Sequence, residues 1–266
     1  MLENRLTEKE LEELSKFRLT EAKSEGELTF CAADLIKSTT LQPILKMLKS
    51  RIEAPNILVT SSILMKRYAF LPVIYLYALT KWDKKLNISL DDVHFEDNSK
   101  NGMWLPNIRL ESLTYTQCPT HDRETFRREA FRALFKDHLY RIIAALNKET
   151  KVSKMVLWEN LAVYMFWMYE TLLETETDSN IRKHASSDFR YIFSEADGSV
   201  FGPMKRNPLS SFDTEKVKKE EDDQLIRIRK TCCYTYMLLK DRESKFCKTC
   251  PVGCRLRQKQ KEEAMK

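Results

Sequence analysis

Apolar positions repeat at helical spacing along most of the chain. Thr7–Thr20 places Leu11, Leu14 and Phe17 on one face, and Thr7 with Glu10 forms a capping box, which predicts an amphipathic helix. Leu28–Ala32 is a short apolar patch compatible with a strand. Leu41–Ile52 returns to helical spacing through Ile44, Leu45 and Leu48. Ser61–Trp82 is apolar and helical in pattern, but Pro72 must kink or split it, because proline lacks the amide proton a helix interior needs.

The period then shortens. Val93–Glu96, Trp104–Leu110 and Ser112–Thr116 are short segments separated by turn residues, Asp97-Asn98 and Asn101-Gly102 among them, and predict a small antiparallel meander. Helical spacing resumes over Arg123–Leu146, Val152–Leu173 and Asn180–Phe193. Residues 197–208 read as a loop, with Gly202-Pro203 and Asn207-Pro208 as breakers. A charged run, Glu215–Asp223, leads into Leu225–Tyr236. The fold class expected is α+β. A mainly helical body with a small sheet, residues 1–212, precedes a short cysteine-bearing module with a basic tail, residues 213–266.

Composition narrows the chemistry. The chain has 266 residues and five glycines, without a Gly-x-Gly-x-x-Gly or phosphate-loop motif, so the common nucleotide cradles are missing. The first residues are charged and do not read as a signal peptide. Phe70–Leu79 and Met155–Leu173, the most apolar stretches, are too short or too interrupted (by Glu159, Asn160 and Glu170) to predict a membrane span. A cytoplasmic location is the resulting expectation. The net charge is +6, yet from Gln224 to Lys266 twelve Lys/Arg face four Asp/Glu. The positive charge therefore accompanies the cysteines, where it would stabilise an anionic metal–thiolate centre.

Four of the seven cysteines fall within nineteen positions: the adjacent pair Cys232-Cys233 and the C-x-x-C pair Cys247/Cys250. Neighbouring cysteines bridge each other only through a strained ring. In a reducing compartment, clustered thiols serve metals more often than disulfides. The pattern points to one soft-metal site with four sulfur ligands, either an iron–sulfur cluster or zinc. Adjacent side chains diverge, which suits a two-iron rhomb better than one small tetrahedral ion. Unrelated structural cysteines are the third reading. Cys254, four residues after Cys250, is a possible substitute ligand, while Cys31 and Cys118 read as a small buried hydrophobe and a loop thiol.

Arg229-x-x-Cys232-Cys233-x-x-Tyr236 followed by Cys247-x-x-Cys250-Pro251 resembles the signature of the FhuF-like ferric siderophore reductases. Ser62–Ala69, with Lys66 and Arg67, is similar to that family's lysine–arginine helix. Lys154–Ala162 is similar to its Trp-x-Asn helix, and Asn207-Pro208-Leu209 to its loop before the cluster. The resemblance spans most of residues 55–251. One departure is the spacer Tyr234–Phe246, thirteen residues where the family usually has about ten.

The resemblance implies a 2Fe–2S cluster held by Cys232, Cys233, Cys247 and Cys250, and one-electron reduction of siderophore-bound Fe(III). Iron would then leave as Fe(II), which hard oxygen donors hold far less tightly. It also implies a hydroxamate or citrate–hydroxamate siderophore as substrate, and a ferredoxin or flavin reductase as electron donor. No acid–base residue is required, in keeping with the scattered His94, His121, His138 and His184. Lys66, Arg67, Arg227, Arg229 and Lys230 are the candidate contacts to an anionic substrate. The competing readings are a zinc-stabilised module binding protein or nucleic acid, and an iron–sulfur redox sensor. Nucleic acid is not the expected partner, because the basic tail lacks interleaved aromatics.

Overall fold

A computed structural model describes residues 4–98, 104–218, 225–238 and 246–254. The turn at Asn101-Gly102, the end of the charged run at 219–223, the spacer stretch 241–245 and the basic tail from Arg255 lie outside the described residues. The architecture is mainly helical α+β.

Helix α1, Glu8–Ser15, carries the expected capping box: the Thr7 hydroxyl accepts from the Glu10 amide and the Glu10 carboxylate from the Thr7 amide. It ends earlier than the apolar spacing suggested. Arg18 takes φ 71°, which terminates the turn, and Leu19–Thr20 is instead a strand, β1. After β2, Phe30–Cys31, helix α2 runs over Ser38–Arg51. Helices α3, Ile57–Tyr68, and α4, Phe70–Trp82, are split at Ala69. Pro72 is the cause: it cannot donate to the Tyr68 carbonyl, so the hydrogen-bond ladder is interrupted there.

Taken together, Ile57–Trp82 is long and apolar enough to cross a membrane by length and composition, which Phe70–Leu79 alone did not suggest. Of its most apolar window, 72% is buried inside the fold, where α4 is enclosed on all sides.

The strands correct the meander reading. β4, Val93–Glu96, and β5, Asn107–Leu110, pair antiparallel as expected. The third segment leaves them: β6, Tyr115–Gln117, pairs with β3, Lys84–Leu86, in a separate ribbon. β5 is flanked instead by β1 in parallel, giving the order β1-β5-β4-β2. Alternation along a segment shows that it is extended. It does not name the partner, which distant residues decide.

Helix α5, Arg123–Arg132, continues through a π-helical stretch, Ala133–Leu139, into α6, Tyr140–Thr150. Helix α7, Lys154–Thr175, is the long central element, and α8, Ser179–Arg190, packs along it. The main apolar core joins α2–α8 and the four-stranded sheet. Asp188 ties α8 to α5 through Arg123 at 2.8 Å, and Arg127 lies at 3.3 Å. After residue 212 the chain forms a two-stranded ribbon, β7, Val217–Lys218, with β8, Leu225–Ile226, and then lies against α3 and α7.

Candidate functional site

Helix α7 is apolar almost throughout, yet Glu159 and Asn160 interrupt it at full burial. Buried polar groups are tolerated only when partnered, and both partners come from the segment leading to the cysteines. The Glu159 carboxylate accepts from the Lys230 and Thr231 amides, each at 2.7 Å, and from the Thr231 hydroxyl. Asn160 accepts from Arg229 Nη2 at 2.6 Å and donates through Nδ2 to the Ser62 hydroxyl and carbonyl, both at 2.9 Å. Ser62 in turn donates to the Cys233 carbonyl at 2.9 Å. Three buried polar side chains on two helices therefore hold residues 229–233 in place.

The thiols meet in two pairs. Cys232 Sγ lies 3.9 Å from Cys250 Sγ, and Cys233 is hydrogen-bonded to Cys247. The adjacent cysteines thus diverge, each toward one member of the C-x-x-C turn. That turn is closed by the Cys250 amide on the Cys247 carbonyl at 2.9 Å and anchored by the Arg229 amide on the Thr249 carbonyl at 3.0 Å. Tyr234 turns the chain away from the pair at φ 60°. Cys233 and Cys250 are buried, whereas Cys232 and Cys247 are half-buried. Cys254 follows on the helical turn 251–254, its amide bonded to the Cys250 carbonyl.

Several groups act on the sulfurs. The Tyr234 amide donates to Cys232 Sγ at 3.3 Å, and the Thr235 hydroxyl lies 3.0 Å from Cys233 Sγ. Lys66 Nζ reaches Thr235 Oγ1 at 3.2 Å. The hydrogen bond from Cys247 lowers the Cys233 pKa, assisted by Lys66 and Arg229 and opposed by burial. The same bond and burial raise Cys247, and burial raises Cys232 to about 11.

Two thiolates bound at about 2.3 Å to one tetrahedral ion lie roughly 3.8 Å apart. The Cys232–Cys250 separation fits that spacing. Among the described residues, no group of three or more His, Cys, Asp or Glu side chains converges on a single point. The four thiols are instead paired, Cys232 with Cys250 and Cys233 with Cys247.

The five predicted cationic contacts separate into two groups. Arg227 bonds Glu170 at 2.9 Å and Asp213 at 3.0 Å and stacks on the Phe166 ring, so its charge is spent within the fold. Arg229 is 6% exposed and serves Asn160. Lys230 contributes its backbone to Glu159, its side chain remaining exposed. Lys66 and Arg67, in the last turn of α3, are half-buried, and Lys66 points toward Thr235.

Two clefts flank α7. One, of about 200 Å³, is lined by Phe166, Trp167, Leu225, Arg229 and Thr249, the last next to Cys250. The other, of about 690 Å³, is lined by Trp158 and by Asn207 and Pro208 of the loop singled out in the sequence. His138 is core: its Nε2 meets the Tyr68 hydroxyl at 2.6 Å.

The fold is a mainly helical α+β body that holds two pairs of thiols beside Lys66 at the end of α3. The chain belongs to the FhuF-like ferric iron reductase family: the family described as ferric iron reductase FhuF-like transporter matches residues 64–223. That span includes Lys66, Arg67, Glu159 and Asn160 and stops ahead of Cys232. No curated protein gives a significant match.

Proposed function

We propose that the protein is a ferric siderophore reductase whose Cys232, Cys233, Cys247 and Cys250 hold a 2Fe–2S cluster. The observation that carries this reading is the sorting of the four thiols into two pairs, in a chain whose family reduces ferric iron. When bound, the cluster would supply a one-electron relay at low potential.

The protein's own residues account for the rest. Glu159, Asn160 and Ser62 hold the ligand segment rigid, so little rearrangement accompanies a change of charge. The Tyr234 amide and Thr235 hydroxyl stabilise negative charge on sulfur and tune the potential. Lys66 adds a cation beside Thr235. One electron comes from an external donor of the ferredoxin or flavin-reductase class, which is oxidised as it gives that electron up. Siderophore-bound Fe(III) accepts it and leaves the chelator as Fe(II). On this reading the cysteine-bearing segment from residue 213 is the electron-carrying part and the preceding body receives the chelate, in the reducing cytoplasm.

The test is an absorption spectrum of freshly purified protein with iron and acid-labile sulfide assays, followed by turnover of ferric hydroxamate and ferric citrate–hydroxamate complexes by the reduced protein. A coloured protein with iron and sulfide in equal amounts, oxidised on adding ferric chelate, is expected. Colourless protein containing zinc would end this reading in favour of a zinc-stabilised binding module. An intact cluster that reduces no chelate would leave the redox-sensor reading.

A further inference from the structure

The wider cleft beside α7, of about 690 Å³, gathers three cations and no carboxylate. Lys154 reaches it from the first turn of α7, and Lys205 and Arg206 from the loop 202–208. No Asp, Glu or Cys lines it. Among the described residues, none of the three cations is paired with an Asp or Glu. Lys154 Nζ lies instead 5.3 Å from the centre of the Tyr140 ring, which forms one wall. Exposed cations are common singly. Here they converge where a helix begins, and a helix N-terminus already carries partial positive charge that disfavours a lysine. The first turn of α7 has no acidic residue to offset it.

The cleft is made of fixed parts. Gly202 takes φ 123°, and a β-carbon there would fall 2.7 Å from the Tyr140 ring. A β-carbon at Gly198 would fall 2.7 Å from the Arg206 amide nitrogen. Asn207 locks the loop from within: its Nδ2 donates to the Ile192 carbonyl and its Oδ1 accepts from the Leu209 amide, both at 2.8 Å. Lys205 and Arg206 are therefore carried by a loop packed tightly on the body, which lowers the cost of ordering them around a ligand. Met155, Met204 and Pro208 add apolar surface. Trp158, 1% exposed and packed against Phe135 and Phe201, lines the same cleft. Its buried indole N–H finds no acceptor among the described residues, a cost that an acceptor on a ligand would remove.

We propose that this cleft binds a phosphorylated heteroaromatic ligand of the mononucleotide class, with its phosphate among Lys154, Lys205 and Arg206 and a ring acceptor toward Trp158. The exposed cations mark the mouth, and the buried indole marks the floor. A bare anion would leave the apolar walls and the indole N–H unused, and the volume falls in the range of small-molecule sites. The missing glycine-rich motifs do not bear on it, since side-chain cations, not a backbone cradle, hold the phosphate. The site goes beyond the reductase reading and does not depend on it.

The full-length protein is titrated by calorimetry with flavin mononucleotide and AMP, each beside its unphosphorylated form (riboflavin, adenosine), and with inorganic phosphate. At least one nucleotide is expected to bind about tenfold or more tightly than its unphosphorylated form and than phosphate. Lys205→Gln combined with Arg206→Gln, both exposed side chains, should erase the phosphate advantage and leave riboflavin and adenosine unchanged. Lys183→Gln, at an exposed cation on α8, should change nothing. Trp158→Phe should weaken the phosphorylated and unphosphorylated forms alike, by about tenfold. Added salt should weaken the nucleotides only. Failure of both nucleotides to bind, or inorganic phosphate binding as tightly as either, would overturn the proposal. So would a phosphate advantage that survives the double variant with its melting temperature retained. Displacement of the nucleotide by a Ga(III) citrate–hydroxamate complex would also overturn it, by assigning the cleft to the chelate.

Discussion

The Ser62 hydroxyl donates a 2.9 Å hydrogen bond to the Cys233 carbonyl, joining positions 171 residues apart. Ser62 also takes a bond from Asn160, which accepts from Arg229, so one buried chain of hydrogen bonds runs from α7 to the backbone of Cys233. Asn160→Leu should destabilise the protein by about 2–4 kcal/mol, since it strands a buried guanidinium and leaves Ser62 with one partner fewer. Ser62→Ala should cost about 1–2 kcal/mol. Urea denaturation of both variants measures these values. A cost for Asn160→Leu no larger than for Ser62→Ala would show that the chain of bonds is not continuous.

Glu159→Gln keeps the shape but turns an amide NH₂ toward the Lys230 or Thr231 N–H, where the carboxylate presented two acceptors. We expect a loss of about 1.5–3 kcal/mol and faster hydrogen exchange at residues 230–233. The same variant should hold less iron per chain than the wild type. Unchanged exchange at these amides would show that Glu159 does not order the segment.

The cysteines should divide four against one. Serine at Cys232, Cys233, Cys247 or Cys250 should remove most bound iron and sulfide, whereas Cys254→Ser should keep both. Metal analysis and visible absorption decide it. Metal retention after replacing both Cys232 and Cys233 would contradict the ligand assignment.

His138 sets an acid limit on stability. Burial, with Arg141 nearby, pushes its pKa down to about 3, so it is neutral in the fold but protonates near its ordinary value once unfolded. The unfolded chain binds the extra proton, so this contribution is complete above about pH 6.5 and declines as pH falls toward 3, by about 1.4 kcal/mol per unit. Between about pH 6.5 and pH 4.5 the wild type should lose roughly 2–3 kcal/mol more than His138→Gln. Parallel pH-dependence curves for the two proteins would remove His138 from the account.

The grouping of the four thiols was legible because it is local in sequence. Cys232-Cys233 and Cys247/Cys250 are recognisable from spacing alone, as is the split that Pro72 imposes between α3 and α4. What holds the thiols was harder to see. Glu159 and Asn160 registered as interruptions of an apolar helix, and only the fold shows that they face the segment leading to Cys232 and Cys233. Arg227 and Arg229 looked like free cations because two of their partners, Glu170 and Asn160, are more than fifty positions away. The sheet misled for the same reason: β6 is extended as expected, but its choice of β3 over β5 depends on residues far along the chain. The end of α1 at Arg18 could not be read either, since a left-handed turn at a non-glycine residue has no compositional mark.

The floor beneath the thiols is built before they are. Ser62, Glu159 and Asn160 lie upstream of the residues they clasp, so during translation the two helices can dock while the cysteines are still unmade. Until residues 229–233 arrive, those polar side chains must be satisfied by water. The nascent protein therefore carries a wet groove waiting for its own later sequence, and assembly of any metal centre there is a late event by the order of the chain.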